Sequence, residues 1–266
     1  MAVLATPYAD NAPGPRVVVN VTAVTSGTVT ATLRRRYGDT DEVVPGADRI
    51  QATTGFVRTD YYPPVGVPVT YQAQLFDVNG AAIGYTASAT TTIDVPDSSA
   101  WLSSPTDPNL TVQVEMSDDA GSSLTRDIVS SVHQVGGRKI LIAEDDYGLV
   151  NIPLSFWVDT VAEARVVDAI LRDGLGLMVF RIAPPMEVPR VLYAIGSPSR
   201  QETNLPADVE DTLFEMTGDE GSAPATVIVA AVITYGRYTS NIATYGAFRS
   251  QYGTYRDALL APPAEV

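Results

Sequence analysis

The chain has 266 residues, 45% of them hydrophobic, and a formal net charge of −14. That acidity argues against a nucleic-acid backbone as partner, because cationic side chains must displace the condensed counterions there. With no cysteine, disulfide staples and thiolate metal sites are excluded, and stability must come from packing or assembly.

The charge is uneven. Residues 1–96 carry 6 Lys/Arg against 8 Asp/Glu, whereas residues 97–266 carry 11 against 23. The length and this asymmetry predict two domains, with the boundary in the Ser/Pro-rich stretch between residues 95 and 105. The start, Met1 to Pro7, has neither a basic segment nor a sustained apolar run, and no apolar run of about 18 residues follows. Neither a cleaved signal nor a membrane-spanning segment is expected.

In the first domain, residues 16–24 and 28–36 are β-branched runs separated by Ser26 and Gly27. Pro63 and Pro64 make a corner before the alternating run from Val69 to Phe76, which ends in an Asp77 to Gly80 turn, and a Thr-rich run over 83–94 can close the sheet. Several short strands with no crossover helix predict a two-layer sandwich. The pattern Tyr71-x-Ala73-x-Leu75-x-Asp77-x-x-Gly80 resembles the penultimate strand and turn of a fibronectin type III domain, over residues 14–95. The resemblance implies a sandwich of about seven strands used as a spacer or as a protein- or sugar-binding module.

Within the first domain Arg34, Arg35 and Arg36 form a compact positive cluster. Period-2 alternation puts Arg34 and Arg36 on one sheet face and Arg35 on the other. Arg34 and Arg36 are therefore candidate contacts to an acidic neighbour, or simply a solvated face.

Further along, residues 111–116, 139–143, 151–158, 177–182, 188–195 and 225–233 read as strands. A helix is predicted from a cap at Asp159 or Thr160 through Val161, Ala164, Val167, Ile170 and Leu171 to Gly174. The acidic stretch 202–222 shows no clear strand pattern. In the C-terminal stretch, Ile242, Tyr245, Phe248, Tyr252, Tyr255 and Leu259 recur at spacings of 3, 3, 4, 3 and 4, which can align an aromatic stripe on a helix. A subunit contact, packing on its own domain and a sugar-stacking platform all fit such a stripe.

Catalytic signatures are few. His133 is the only histidine and reads as a strand or loop residue, while Asp118-Asp119 and Glu144-Asp145-Asp146 lack the spacing of a calcium loop and read as solvated turns. No phosphate-binding glycine loop and no serine-nucleophile elbow occur. The expectation is no enzyme, no cofactor, no catalytic residue and no metal.

Taken in order, Trp101-Leu102-x-Ser104-Pro105, Gly137-Arg138, the 154–158 strand, Thr160-x-x-Glu163-Ala164, the 177–181 strand, Tyr193-Ala194-Ile195-Gly196 and the terminal 252–259 segment resemble minor tail proteins of long non-contractile-tailed actinobacteriophages, of the distal-tail or tail-hub type. The resemblance covers residues 100–262. It implies a mainly β chain of two β-sandwich-type domains, the second with a flanking α-helix and related to the phage tail-tube fold. The expected division is 1–97, fibronectin type III-like; 98–239, tail-tube-like with one helix; and 240–266, an assembly segment carrying Tyr245, Phe248, Tyr252 and Tyr255.

The implied role is a structural virion component at the tail tip, made in the host cytoplasm. As a homo-oligomer, trimer or hexamer, it would join the tail tube to tape-measure and other tail-tip proteins. The alternative is a carbohydrate-binding β-sandwich module that attaches to a host-surface glycan.

Overall fold

A computed structural model describes residues 2–10, 14–126, 130–135, 138–143, 148–174, 176–202 and 211–222. They show a mainly β chain with two sheet regions and one helix flanking the second. Both regions belong to one compact unit, Met1–Val227; the other unit, Ile228–Val266, lies outside the described residues.

The first region contains β1 (Val3–Tyr8), β2 (Arg16–Val21), β3 (Thr30–Tyr37), β4 (Thr40–Val43), β5 (Ile50–Gln51), β6 (Phe56–Asp60), β7 (Pro68–Phe76), β8 (Ala82–Tyr85) and β9 (Ala89–Thr92). One sheet has the order β1-β2-β6; the other has β4-β3-β7-β8, with β5 on β3 and β9 on β7. Alternation decides which residues face inward. Val17, Val19 and Val21 of β2 and Val69, Tyr71, Ala73 and Leu75 of β7 are buried in one shared core. The predicted Asp77 to Gly80 turn is present, with Asp77 accepting from Asn79 N and Ala81 N. The Thr-rich run over 83–94 divides into β8 and β9, both of which pair with β7.

The second region contains β10 (Ala100–Ser103), β11 (Thr111–Met116), β12 (Thr125–Arg126), β13 (Ser130–Val135), β14 (Arg138–Ala143), β15 (Leu149–Val150), β16 (Ile152–Pro153), β17 (Phe156–Val158), α1 (Val161–Asp173), β18 (Leu177–Ile182), β19 (Val191–Ile195), β20 (Ser199–Glu202), β21 (Thr212–Glu215) and β22 (Thr217–Glu220). Register shows how its nine-strand path is built. β16 and β17 are two halves of one bent strand, because Ile152 pairs Gly218, Leu154 N donates to Met216 O and Phe156 pairs Phe214 without a break in count. β19 and β20 are likewise one bent strand lying along β22 and β21, since Ala194 pairs Glu220 and Ser199 pairs Glu215. With β10 joining β11 to β18, β11 joining β17, and β18 joining β19, the path returns on itself as a closed antiparallel ladder.

Inside this ladder lie Leu102, Val114, Leu154, Phe180, Leu192, Phe214 and Met216. Phe156 stacks on Phe214 at 5.2 Å and meets Phe180 edge-on at 5.8 Å, tying three strands together. The helix matches its predicted position. It buries Ala164, Val167 and Ile170, one face at helical spacing, and packs on β11, β17 and β18. Thr160 accepts from Glu163 N at 3.2 Å and donates to the Glu163 carboxylate at 2.9 Å, so two end groups of the helix satisfy each other. Thr160→Ala should therefore cost about 1 kcal/mol in urea unfolding, and an unchanged midpoint would show the cap to be idle.

Two departures from the sequence reading stand out. The acidic stretch 202–222 holds β21 and β22, because Asp219 and Glu220 accept backbone hydrogen bonds from Asn151 N and Leu149 N, at 2.9 and 2.8 Å, rather than facing water as loop residues. The 188–195 strand begins only at Val191. The predicted 225–233 strand lies outside the described residues.

Between β11 and β16 the chain makes two successive two-stranded ladders, β12 with β15 and β13 with β14. The second pairs six residues with six, from Ser130↔Ala143 to Val135↔Arg138, a ribbon about 20 Å long at ~3.3 Å per residue. No third strand joins that sheet among the described residues.

Candidate functional site

The residues that join the two regions follow from the same alternation. In β10, β18 and β19, one set (Leu102, Phe180, Leu192) fills the closed ladder, and the other (Trp101, Ser103, Val179, Arg181, Tyr193) lies on the opposite face. That opposite face is also buried, because the first region covers it. Trp101 and Ala183 pack into the first region's core, and Tyr62 packs on Val179 and Tyr193. Backbone bonds Ser98 N to Pro184 O (2.8 Å) and Ala183 N to Ser99 O (2.9 Å) close the joint, and the Tyr62 hydroxyl donates to Ser104 O at 2.8 Å. Gly66, at φ +69°, sits where a Cβ would meet Pro184 Cδ at 3.0 Å, so this approach requires glycine.

Beside the joint lies a buried ionic network. Arg35 faces inward on β3 with Ala31 and Leu33 and is 1% exposed. A charge in that position must be paired. Arg35 Nη1 donates to both oxygens of Asp60, the last residue of β6, at 2.7 Å, and Nε donates to Glu42 at 2.8 Å. Asp60 also accepts from the Tyr71 hydroxyl at 2.9 Å and from Tyr62 N at 3.1 Å. The pair thus links the two sheets of the first region. Burial opposes the Arg35 charge, yet Asp60 and Glu42 outweigh it and hold the guanidinium protonated well above its ordinary range.

The surrounding groups are shifted away from neutrality as well. Burial raises the Tyr62 and Tyr71 phenols, the second with help from Asp60, and pushes Tyr193 up to about 12. Tyr37 also rises, by burial and by the nearby Glu42 carboxylate, to which it donates at 3.0 Å. Arg181, fully buried, is lowered to about 10 by burial; it donates to Pro15 O and to Ser103 Oγ, and its Nε has no partner. The network fixes protons in place instead of exchanging them.

Next to it opens a cleft of about 570 Å³. Its walls come from the β3–β4 turn (Tyr37, Asp39, Glu42), from Val67, from the segment Val188 to Tyr193, and from Glu220 and Gly221. The lining holds three carboxylates against one guanidinium, that of Arg190. Glu42 is engaged by Arg35 and Tyr37, and Glu220 by Leu149 N. Asp39 is exposed and has no hydrogen-bond or ion-pair partner among the described residues. Tyr193 is 9% exposed, and its buried hydroxyl has no partner.

The residues singled out from the sequence are placed as follows. Arg34 and Arg36 share the outward face of β3, and both hold Asp41 of β4, at 2.9 and 2.8 Å. Asp118 and Asp119 lie in an exposed turn after β11, and His133 stands in β13 opposite Ile140. Among the described residues no three His, Cys, Asp or Glu side chains gather to hold a metal. No described helix is long and apolar enough to cross a membrane. Tyr245, Phe248, Tyr252, Tyr255 and the Glu144 to Asp146 cluster lie outside the described residues.

Sequence reasoning missed the Arg35–Asp60 pair and the cleft. Alternation turned Arg35 inward and so supplied half of the signal; its partner, 25 residues away, had none. The chain matches no protein-family model, no curated protein and no solved structure.

Proposed function

We propose that the protein is a non-enzymatic structural component of a bacteriophage tail tip, whose copies form a ring joining the tail tube to tape-measure and other tail-tip proteins. In this reading the first region is a fibronectin type III-like sandwich and the second a tail-tube-like sandwich with its flanking helix. The ribbon β13–β14 carries the reading. A lone two-stranded sheet is marginal in water, and this one includes Val132, Val135 and the consecutive Ile140, Leu141 and Ile142, an apolar residue for each face. A neighbouring copy would supply the missing cover. Such a contact is head-to-tail, and repeated with a closing rotation it makes a ring.

The joint between the regions suits the same role, since a buried network that neither bends nor titrates near neutral pH holds the two at a fixed angle in every copy. The solution mass of the purified chain across a concentration series, with negative-stain images, tests the proposal. Closed rings of three or six copies are expected, and a chain that stays at 28.3 kDa at every concentration would sink self-assembly.

A further inference from the structure

We infer that the cleft beside Tyr193 receives the tip of the β13–β14 ribbon from a second copy of this chain, an assignment that rests on the ring reading above. Three observations lead there. The cleft is anionic, with Asp39, Glu42 and Glu220 outnumbering Arg190, and Asp39 lacks any partner among the described residues. One of its lining residues, Tyr193, is nine-tenths buried and has an unpartnered hydroxyl, a donor left for an incoming acceptor such as a backbone carbonyl.

The third observation is the ribbon's own sequence. Between its strands stand Gly136 and Gly137, the residue type that tight two-residue hairpin turns take, and its first residues beyond them are Arg138 and Lys139, the latter the only lysine of the chain. In a protein of net charge −14, this cationic pair on a narrow ribbon is the complement that an acidic cleft selects. The ribbon's apolar residues would then lie along the neighbour while its tip fixes the register.

Two measurements on the full chain test this. Carbodiimide coupling of a mixture of isotopically light and heavy chains should join Lys139 of one copy to Asp39 of another, read by mass spectrometry of the cross-linked peptide. Asp39→Arg, in an exposed turn, and the double change Arg138→Asp with Lys139→Asp should each lower the assembled fraction at least tenfold. The three changes combined in one chain restore the charge match and should restore assembly. Rings that persist unchanged in both single-sided variants would overturn the docking while leaving ring formation intact. A wild-type chain that never leaves the monomer would overturn both.

Discussion

Asp60→Ala is expected to destabilise the protein by about 3–5 kcal/mol, the cost of stranding one member of a buried ion pair. Three losses coincide. The Arg35 guanidinium keeps only the partly exposed Glu42 as counter-charge, the Tyr71 hydroxyl loses its acceptor, and so does Tyr62 N. The comparison that makes the prediction specific is Asp41→Ala, which removes a carboxylate held by two arginines on the outward face of the same hairpin. Asp41 is over one-third exposed, and water replaces what it loses, so the cost there is about 1 kcal/mol or less. Urea unfolding of the two variants side by side decides the matter: equal midpoints would mean that the inward pair contributes no more than the surface one.

Raising the pH above 10 should unfold the protein cooperatively. The sign follows from the direction of each shift. Tyr37, Tyr62, Tyr71 and Tyr193 all have phenols raised by burial, so above about pH 10 the unfolded chain sheds these protons while the folded chain keeps them. Stability present below pH 10 is thus lost as pH climbs. For Tyr193 alone the loss reaches about 3 kcal/mol by pH 12, at ~1.4 kcal/mol per unit. Arg181 works in the opposite direction, since its lowered value lets the folded chain release that proton first; it is one group against four. Tyrosinate absorbance and far-ultraviolet circular dichroism, followed together, should change in a single step. Complete tyrosine ionisation with the dichroism intact would refute the account.

Much of the secondary structure was legible because single residues carried enough information. The valines of β2 and the alternating β7 each needed only a period of two, and α1 needed a threonine, a glutamate three places on and an apolar face. β21 and β22 failed that reading for a definite reason. Their carboxylates, Asp219 and Glu220, serve as acceptors for a distant backbone, and a local pattern cannot distinguish such a carboxylate from a solvated one. The cleft failed more completely: Asp39 comes from the first region and Tyr193 and Glu220 from the second, brought together by the joint at Trp101, Gly66 and Ala183. Pairings across that distance belong to tertiary structure.

The self-returning ladder of the second region also sets an order on biosynthesis. Its last segment, residues 212–220, lies between residues 152–158 on one side and 191–202 on the other, so both of those strands emerge from the ribosome before the strand that separates them. A nascent or truncated chain that stops short of Thr212 therefore presents two open edges flanking an apolar interior, with Phe156 deprived of the Phe214 ring. Such fragments should accumulate as aggregates, and the second region should become protease-resistant only once residue 220 has been synthesised and can fold back.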